Sequence, residues 1–161
     1  MKQILIIILL VIGYLSYSQE SYFVEGKGYY GYVFSKDRSL NGFPSESNRY
    51  TLTTENISQA ELILKNNINT EYVKSRRQLC SRRALINKIT LKKYYRQYVG
   101  YLNTNNEVIA YVCLTRKDAV DDIKDLSEDL IMVCDGGCAF WRIYINLQTQ
   151  QVFDMEVNGE S

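Results

Sequence analysis

The residues of this chain that could carry chemistry are acidic side chains and cysteines, because the sequence contains no histidine. A Ser-His-Asp or Cys-His nucleophile needs an imidazole to accept its proton, and most catalytic zinc sites use histidine ligands. Both kinds of site are excluded in their usual forms. Glycan hydrolysis by a carboxylate pair is still allowed, and Asp135 with Asp129 or Glu107 could form one. No spacing selects such a pair, so we predict no catalytic residue.

The four cysteines suit a disulfide framework: Cys80, Cys113, Cys134 and Cys138. An even number of cysteines in an exported chain favours disulfides, although the sequence leaves their connectivity open. A structural zinc site would need two close cysteine pairs, and only Cys134 and Cys138 lie close together. We therefore expect no metal site, no cofactor and no free thiol in the processed protein.

Between Glu71 and Glu107 every charged residue is basic. The basic residues of this stretch, 74–96, are Lys74, Arg76, Arg77, Arg82, Arg83, Lys88, Lys92, Lys93 and Arg96. The stretch is either a solvated loop or a positive surface that attracts an anionic partner. An anionic surface of polysaccharide or lipid head groups would fit, and so would an acidic protein face. The candidate binding residues are Arg76, Arg77, Arg82, Arg83, Tyr94, Tyr95 and Tyr98.

Residues 1–18 have the pattern of a secretory signal peptide. Lys2 precedes an apolar run from Ile4 to Ile12, and small residues stand at Ser16 and Ser18. The run is too short to cross a bilayer, which takes roughly 20 apolar residues; an uncleaved membrane anchor is the alternative. Cleavage near Ser18–Gln19 would give a secreted or periplasmic protein with no transmembrane segment.

The composition of the processed chain limits the classes of partner that we expect it to bind. The whole chain has a formal net charge of +1, and cleavage would remove Lys2, so the processed chain is neutral. Nucleic-acid-binding proteins usually carry a basic surplus, and we therefore expect no nucleic acid partner. Fourteen tyrosines suit half-buried strands and the contact surfaces of binding proteins. The oligomeric state is left open.

One amphipathic helix is predicted over residues 54–68. Thr53 or Thr54 can cap its N-terminus, and Glu55 suits the positive end of the helix dipole. Its apolar residues recur at helical spacing; they are Ile57, Ala60, Leu64 and Ile68. Before the helix, Tyr30 to Phe34 could form a strand, and residues 36–47 have the composition of a loop.

The second half of the chain predicts strands. Residues 94–102 and 107–116 flank an asparagine-rich turn and indicate one hairpin. Residues 129–134 and 138–147 flank Asp135-Gly136-Gly137 and indicate a second. Its apolar face would be Ile131, Val133, Ala139, Trp141, Ile143 and Ile145. A last strand is predicted over 152–157, where apolar and acidic residues alternate.

These elements predict an α+β fold with one main helix packed on a curved antiparallel sheet of four to five strands. Trp141, Ile143 and Val133 should contact the apolar stripe of the helix. After the signal peptide, residues 19–50 would form a Tyr/Gly-rich N-terminal strand and loop, and residues 51–161 the α+β domain. The layout resembles the cystatin-like and nuclear-transport-factor-like rolls. The cystatin inhibitory motif Gln-x-Val-x-Gly is matched only by Gln97-Tyr98-Val99-Gly100, one residue short and within a strand, so protease inhibition is not implied.

The C-terminal third resembles small exported proteins of Bacteroidetes type. The resemblance is carried by the segments CDGGCAFW (134–141), NLQT (146–149) and VNG (157–159). It implies an exported location and no particular activity. Together these features predict a non-enzymatic binding module of the periplasm or cell envelope. The alternatives are an inhibitor or immunity-type protein of a secreted enzyme, and a carboxylate-dependent enzyme acting on glycans.

Overall fold

The computed structural model describes residues 20–41, 48–79 and 86–159. The predicted signal peptide, residues 1–18, lies outside them. The described residues form a sheet of seven strands. The strands are β1 (Ser21–Gly26), β2 (Tyr29–Phe34), β3 (Arg49–Tyr50), β4 (Tyr94–Leu102), β5 (Val108–Arg116), β6 (Phe140–Asn146) and β7 (Gln151–Val157). Two α-helices, α1 (Thr54–Asn67) and α2 (Glu71–Arg76), lie between β3 and β4.

The sheet is mixed. Its strand order is β1-β2-β4-β5-β6-β7, and β3 pairs with β4 beyond the end of β2. β4 to β7 form an antiparallel meander, whereas β2 and β4 are parallel because the chain between them passes through α1 and α2. The α+β class is thus confirmed, but the sheet is larger than four to five strands and is not wholly antiparallel. Strands β1 to β3, from the stretch 19–50, belong to the same sheet.

Helix α1 forms where the sequence predicts it. The Thr53 hydroxyl accepts from the Asn56 amide, and the Thr53 amide donates in return to the Asn56 side-chain oxygen, which completes a capping box. Its buried residues, Ile57, Ala60, Ile63 and Leu64, lie in one hydrophobic cluster with Trp141, Ile143 and Ile145 of β6. The predicted contact between helix and sheet is confirmed for Trp141 and Ile143. The hairpin of β4 and β5 is confirmed as well, with Asn106 in the turn at a φ of 59°.

The second predicted hairpin is wrong. Residues 129–134 are not a strand, and β6 pairs with β5 and β7 instead. The reason is Gln97 of β4, a buried amide that donates to the carbonyls of Leu126 (2.9 Å) and Asp129 (2.6 Å) and accepts from the Ile131 amide (3.0 Å). These bonds pair the Asp129 carbonyl and the Ile131 amide, and the Asn158 side chain donates to the Val133 carbonyl (2.6 Å), so these backbone groups have partners without a neighbouring strand. Val133 is therefore partly exposed and outside the cluster that contains α1.

The expectation that no thiol is free is also wrong, because Cys113 and Cys134 are free cysteines. Cys113 lies in β5 opposite Arg142, on the sheet face away from α1, and burial raises its pKa to about 11. Cys134 is exposed in the segment that replaces the predicted strand, so it does not pair with Cys138. Cys138 itself is disulfide-bonded, and Cys80 lies outside the described residues.

Candidate anion-binding pocket

The predicted binding residues do not form one surface. The guanidinium of Arg76 donates to the carbonyl of Met155 (2.8 Å), and that of Arg77 to the carbonyl of Ile86 (2.8 Å). These two arginines hold α2 against its neighbours. Tyr94 is buried, and its hydroxyl donates to the carbonyl of Cys138 (2.7 Å).

The two other described residues of the predicted binding set also lie apart from each other. Tyr98 is buried under α1. Tyr95 is half-buried on the opposite sheet face, beside Tyr30 and below the Lys117 ammonium. Arg82 and Arg83 lie outside the described residues. Tyr94 and Tyr98 are thus core residues, and no ligand on the surface can reach their rings.

The basic stretch nevertheless contributes to a concave site elsewhere. A cavity of about 300 Å³ opens between α1, the β1–β2 turn and residues 88–92. The cationic residues of its lining are Lys27, Lys65, Lys88, Lys92 and Arg96. Its other lining residues are Gly28, Tyr29, Ser58, Glu61, Leu62, Ile89 and Leu91. Among these described lining residues, basic ones outnumber acidic ones by five to one.

Three elements position these side chains. On α1, Ser58, Leu62 and Lys65 recur at a spacing of three or four residues, so they share the face turned away from the core. Gly28 adopts a φ of +91°, which completes the tight β1–β2 turn that carries Lys27. The third element is the turn that follows Ile86.

This third element is braced from within. The Asn87 side-chain oxygen accepts from the amides of Ile89 (2.8 Å) and Thr90 (3.1 Å). These bonds form an Asx-type turn with Lys88 and Ile89 at its tip. The 3₁₀ helix Thr90–Lys93 follows and turns Leu91 inward while Lys92 stays exposed. The turn therefore presents a cationic and an apolar side chain at one edge of the cavity.

A buried ion pair forms the floor of the cavity. Arg96, whose side chain is fully buried, donates to Glu61 through Nε (3.1 Å) and Nη2 (3.4 Å). Its Nη1 donates to the carbonyls of Leu91 (2.9 Å) and Tyr94. The Tyr98 hydroxyl donates to the same carboxylate (2.8 Å). Glu61 is thereby neutralised inside the protein, which is the condition for tolerating a buried charge.

Two local features support this floor. Burial, and then the charge of Glu61, raise the pKa of Tyr98 well above its ordinary value, so this hydroxyl remains a donor. Gly31 of β2 pairs with Arg96, and a Cβ at Gly31 would lie 1.9 Å from the Arg96 carbonyl oxygen. Glycine is required there because the two strands approach so closely.

The lysines, in contrast, keep their charge available. Lys27, Lys65, Lys88 and Lys92 are all exposed. In the part of the chain that the structure describes, none of them forms an ion pair. Positive charges around a cleft with low-dielectric walls concentrate the field inside it. The site is therefore electrostatically suited to an anion.

Among the described residues that line the cavity, Glu61 is the only carboxylate, and Arg96 and Tyr98 already hold it. Of the acids nominated from the sequence, Glu107 accepts from the side chains of Asn103 and Asn146, which lower its pKa. A general acid needs the opposite shift.

The two other nominated acids are also placed outside the cavity. Asp129 accepts from the backbone and side-chain amides of Asn41. Asp135 is exposed and does not line the cavity. Among the described residues, no group of three or more acidic or cysteine side chains could hold a metal ion.

Sequence reasoning missed half of the exposed cations of the cavity. Lys88, Lys92 and Arg96 belong to the predicted basic stretch, whereas Lys27 and Lys65 lie far from it in sequence. A local signal existed for Lys65, because it stands three residues after Leu62 on the polar side of a predicted helix. Nothing local marks Lys27, which is brought in by the parallel pairing of β2 with β4.

Comparison with known proteins finds no matching family, no similar curated protein and no similar solved structure. Three features of the cavity bear on function. They are its concave shape, the Glu61–Arg96 ion pair at its floor and the four exposed lysines among its described lining residues.

Proposed function

We propose that this protein is a non-enzymatic binding module that takes an anionic ligand in the cavity between α1, the β1–β2 turn and residues 88–92. The observation that carries the proposal is the convergence of Lys27, Lys65, Lys88 and Lys92 on a cavity where Glu61, the one carboxylate among the described lining residues, is already paired with Arg96. A cavity of about 300 Å³ is at the small end of the range for small-molecule sites. The ligand is therefore a compact anionic group or the charged end of a larger molecule.

We place this module in the periplasm or cell envelope, or outside the cell, on the strength of the signal-peptide pattern. β1 begins at Ser21, just after the predicted cleavage site, so removal of residues 1–18 would leave every described strand intact. In the described ranges, no helix has the length and apolar character needed to cross a membrane.

The test removes two positive charges from the cavity. The control variant loses two positive charges elsewhere, so the two variants have the same net charge. We expect the variant Lys65→Gln/Lys92→Gln to bind inositol hexakisphosphate about tenfold or more weakly than the unmodified chain, since each cation near a bound anion contributes about 1 kcal/mol. The matched control is Lys36→Gln/Lys124→Gln, because both lysines are exposed and neither lines the cavity. Isothermal titration at low and moderate salt measures both. Equal weakening in the two variants would refute the cavity as the binding site.

The alternatives make different demands on this site. An inhibitor or immunity-type protein would use the same cations against an acidic protein face, and titration with a small anion would then show no binding. A glycan-acting enzyme needs two converging carboxylates, and the lining, as far as the structure describes it, supplies only Glu61. The likeness to cystatin-like and nuclear-transport-factor-like rolls remains a hypothesis about layout. The packing of α1 on the sheet supports it, and the parallel pair β2–β4 departs from it.

A further inference from the structure

We propose that the anion recognised by this cavity is the head group of an anionic lipid, and that the rim of the cavity docks on a bilayer surface. This inference deepens the proposed function and rests on it. We choose a lipid surface as the partner because the cavity combines two features that other anionic partners do not need together. These features are uncompensated positive charge and exposed aliphatic side chains.

The aliphatic side chains are Leu62 of α1 and Ile89 of the turn after Ile86. Leu62 is 59% exposed and Ile89 76% exposed, and both line the cavity. Of the exposed large hydrophobic residues among the described ones, these two have the highest exposure. Leaving them in water gives up the free energy of burying two aliphatic groups. A compact phosphate or sulfated sugar would offer them no apolar contact.

The turn is built to hold Ile89 outward. The backbone amides of Ile89 and Thr90 both donate to the Asn87 side-chain oxygen. The Thr90 hydroxyl donates to the Asn87 carbonyl (3.1 Å). Leu91, two residues after Ile89, is buried and anchors the turn to the core. An apolar side chain at the tip of an anchored turn can enter a bilayer interface with little loss of conformational entropy.

Cationic and aliphatic side chains line the same cavity, which is the combination that a bilayer surface requires. An interfacial protein places apolar groups at the head-group and acyl boundary while basic groups meet the phosphates. Lysine suits this position because its long apolar stem can lie along the lipid while its ammonium stays in the head-group layer. Lys88 is next to Ile89 in sequence, and Lys65 is one helical turn from Leu62. Each aliphatic group thus has a cation within reach of the same lipid.

The test measures co-sedimentation of the processed chain, residues 19–161, with lipid vesicles, since the apolar leader would itself bind lipid. We expect binding to mixed phosphatidylglycerol–phosphatidylcholine vesicles and none to pure phosphatidylcholine. We expect Leu62→Gln/Ile89→Gln to reduce the partition coefficient by about tenfold or more. The matched control, Phe23→Gln/Met132→Gln, changes two exposed hydrophobic residues outside the cavity and should bind as the unmodified chain does. Circular dichroism checks that each variant is folded.

Each outcome decides between the two proposals. Equal binding to neutral and anionic vesicles, or an equal effect of the two hydrophobic variants, overturns the lipid inference. If the unmodified chain binds inositol hexakisphosphate but not anionic vesicles, the lipid inference fails and the proposed function stands. If it binds neither, both fail. Should the Lys65→Gln/Lys92→Gln variant lose vesicle binding while Leu62→Gln/Ile89→Gln keeps it, the cavity binds phosphate without docking on the bilayer.

Discussion

At the scale of single residues, the cavity contains one ion pair whose charges cancel and several lysines whose charges are not paired among the described residues. The positive charge of the cavity comes from these lysines. Arg96 is buried and bonded to Glu61, whose side chain is only 11% exposed, whereas the lysines of the lining are exposed. The sequence could not reveal this division, because Arg96 and Lys92 occur in the same basic stretch. What distinguishes them is their position on the fold. Arg96 lies within β4 and points under α1, and Lys92 precedes the strand.

The buried pair provides a prediction about stability. We expect Arg96→Met to lower the free energy of unfolding by about 3 kcal/mol, because it leaves Glu61 partly buried without its counter-charge. Arg116→Met is the matched control, since Arg116 forms a partly exposed pair with Asp118 that should contribute less than about 1 kcal/mol. Urea denaturation measures both. Similar losses in the two variants would show that the Arg96 pair is no more than a surface contact.

At the scale of elements, the sequence pattern correctly predicted the helix and the turn whose formation depends on interactions between neighbouring residues. The capping residue and apolar stripe of α1, and the asparagine turn between β4 and β5, are set by neighbouring residues, and both elements form as expected. The segment 129–134 has a strand-like pattern but is held by Gln97, which is more than 30 residues away. Such a long-range contact cannot be read from the local sequence, and for this reason the prediction of the second hairpin was wrong.

The role of Gln97 is testable. We expect Gln97→Leu to lower the free energy of unfolding by about 2 kcal/mol, because it leaves backbone groups of residues 126–131 without partners. The amide of Ile131 should then exchange its hydrogen faster. Gln151→Leu, at an exposed position on β7, should change stability by less than about 0.5 kcal/mol. Unchanged exchange at Ile131 in the Gln97 variant would mean that the segment is held by other contacts.

At the scale of the whole molecule, both faces of the sheet bury tyrosine. Burial raises the pKa of Tyr94, on the face toward α1, to about 12. On the other face, burial and then the nearby Cys113 raise the pKa of Tyr111. The tyrosine count was visible in the sequence, but Tyr94 and Tyr98, which were named from the sequence as candidate binding residues, pack in the core instead, and Tyr111 is buried on the other face. The cavity itself was not predictable, since it joins residues from the β1–β2 turn, α1 and the turn at 87–90.

These pKa shifts predict loss of stability at alkaline pH. The folded state favours the protonated thiol of Cys113 (pKa about 11, ordinary value 9.0) and the protonated phenol of Tyr94 (about 12, ordinary value 10.0). Their contribution is complete below about pH 9, where the unfolded groups are also protonated, and is lost as pH rises toward about 12. Urea denaturation across this range should show a steady fall in the free energy of unfolding. A constant value up to about pH 11 would contradict the assigned burial.

The most direct test of the central claim is to locate the bound anion on the protein. Two-dimensional NMR of the labelled, processed chain, titrated with inositol hexakisphosphate, reports which backbone amides respond. We predict that the shifts concentrate at residues 27–29, 58–65 and 88–92, with little change around Tyr95 and Lys117 on the opposite face. Shifts confined to that opposite face, or no saturable shift at all, would contradict the assignment of the cavity as the anion site.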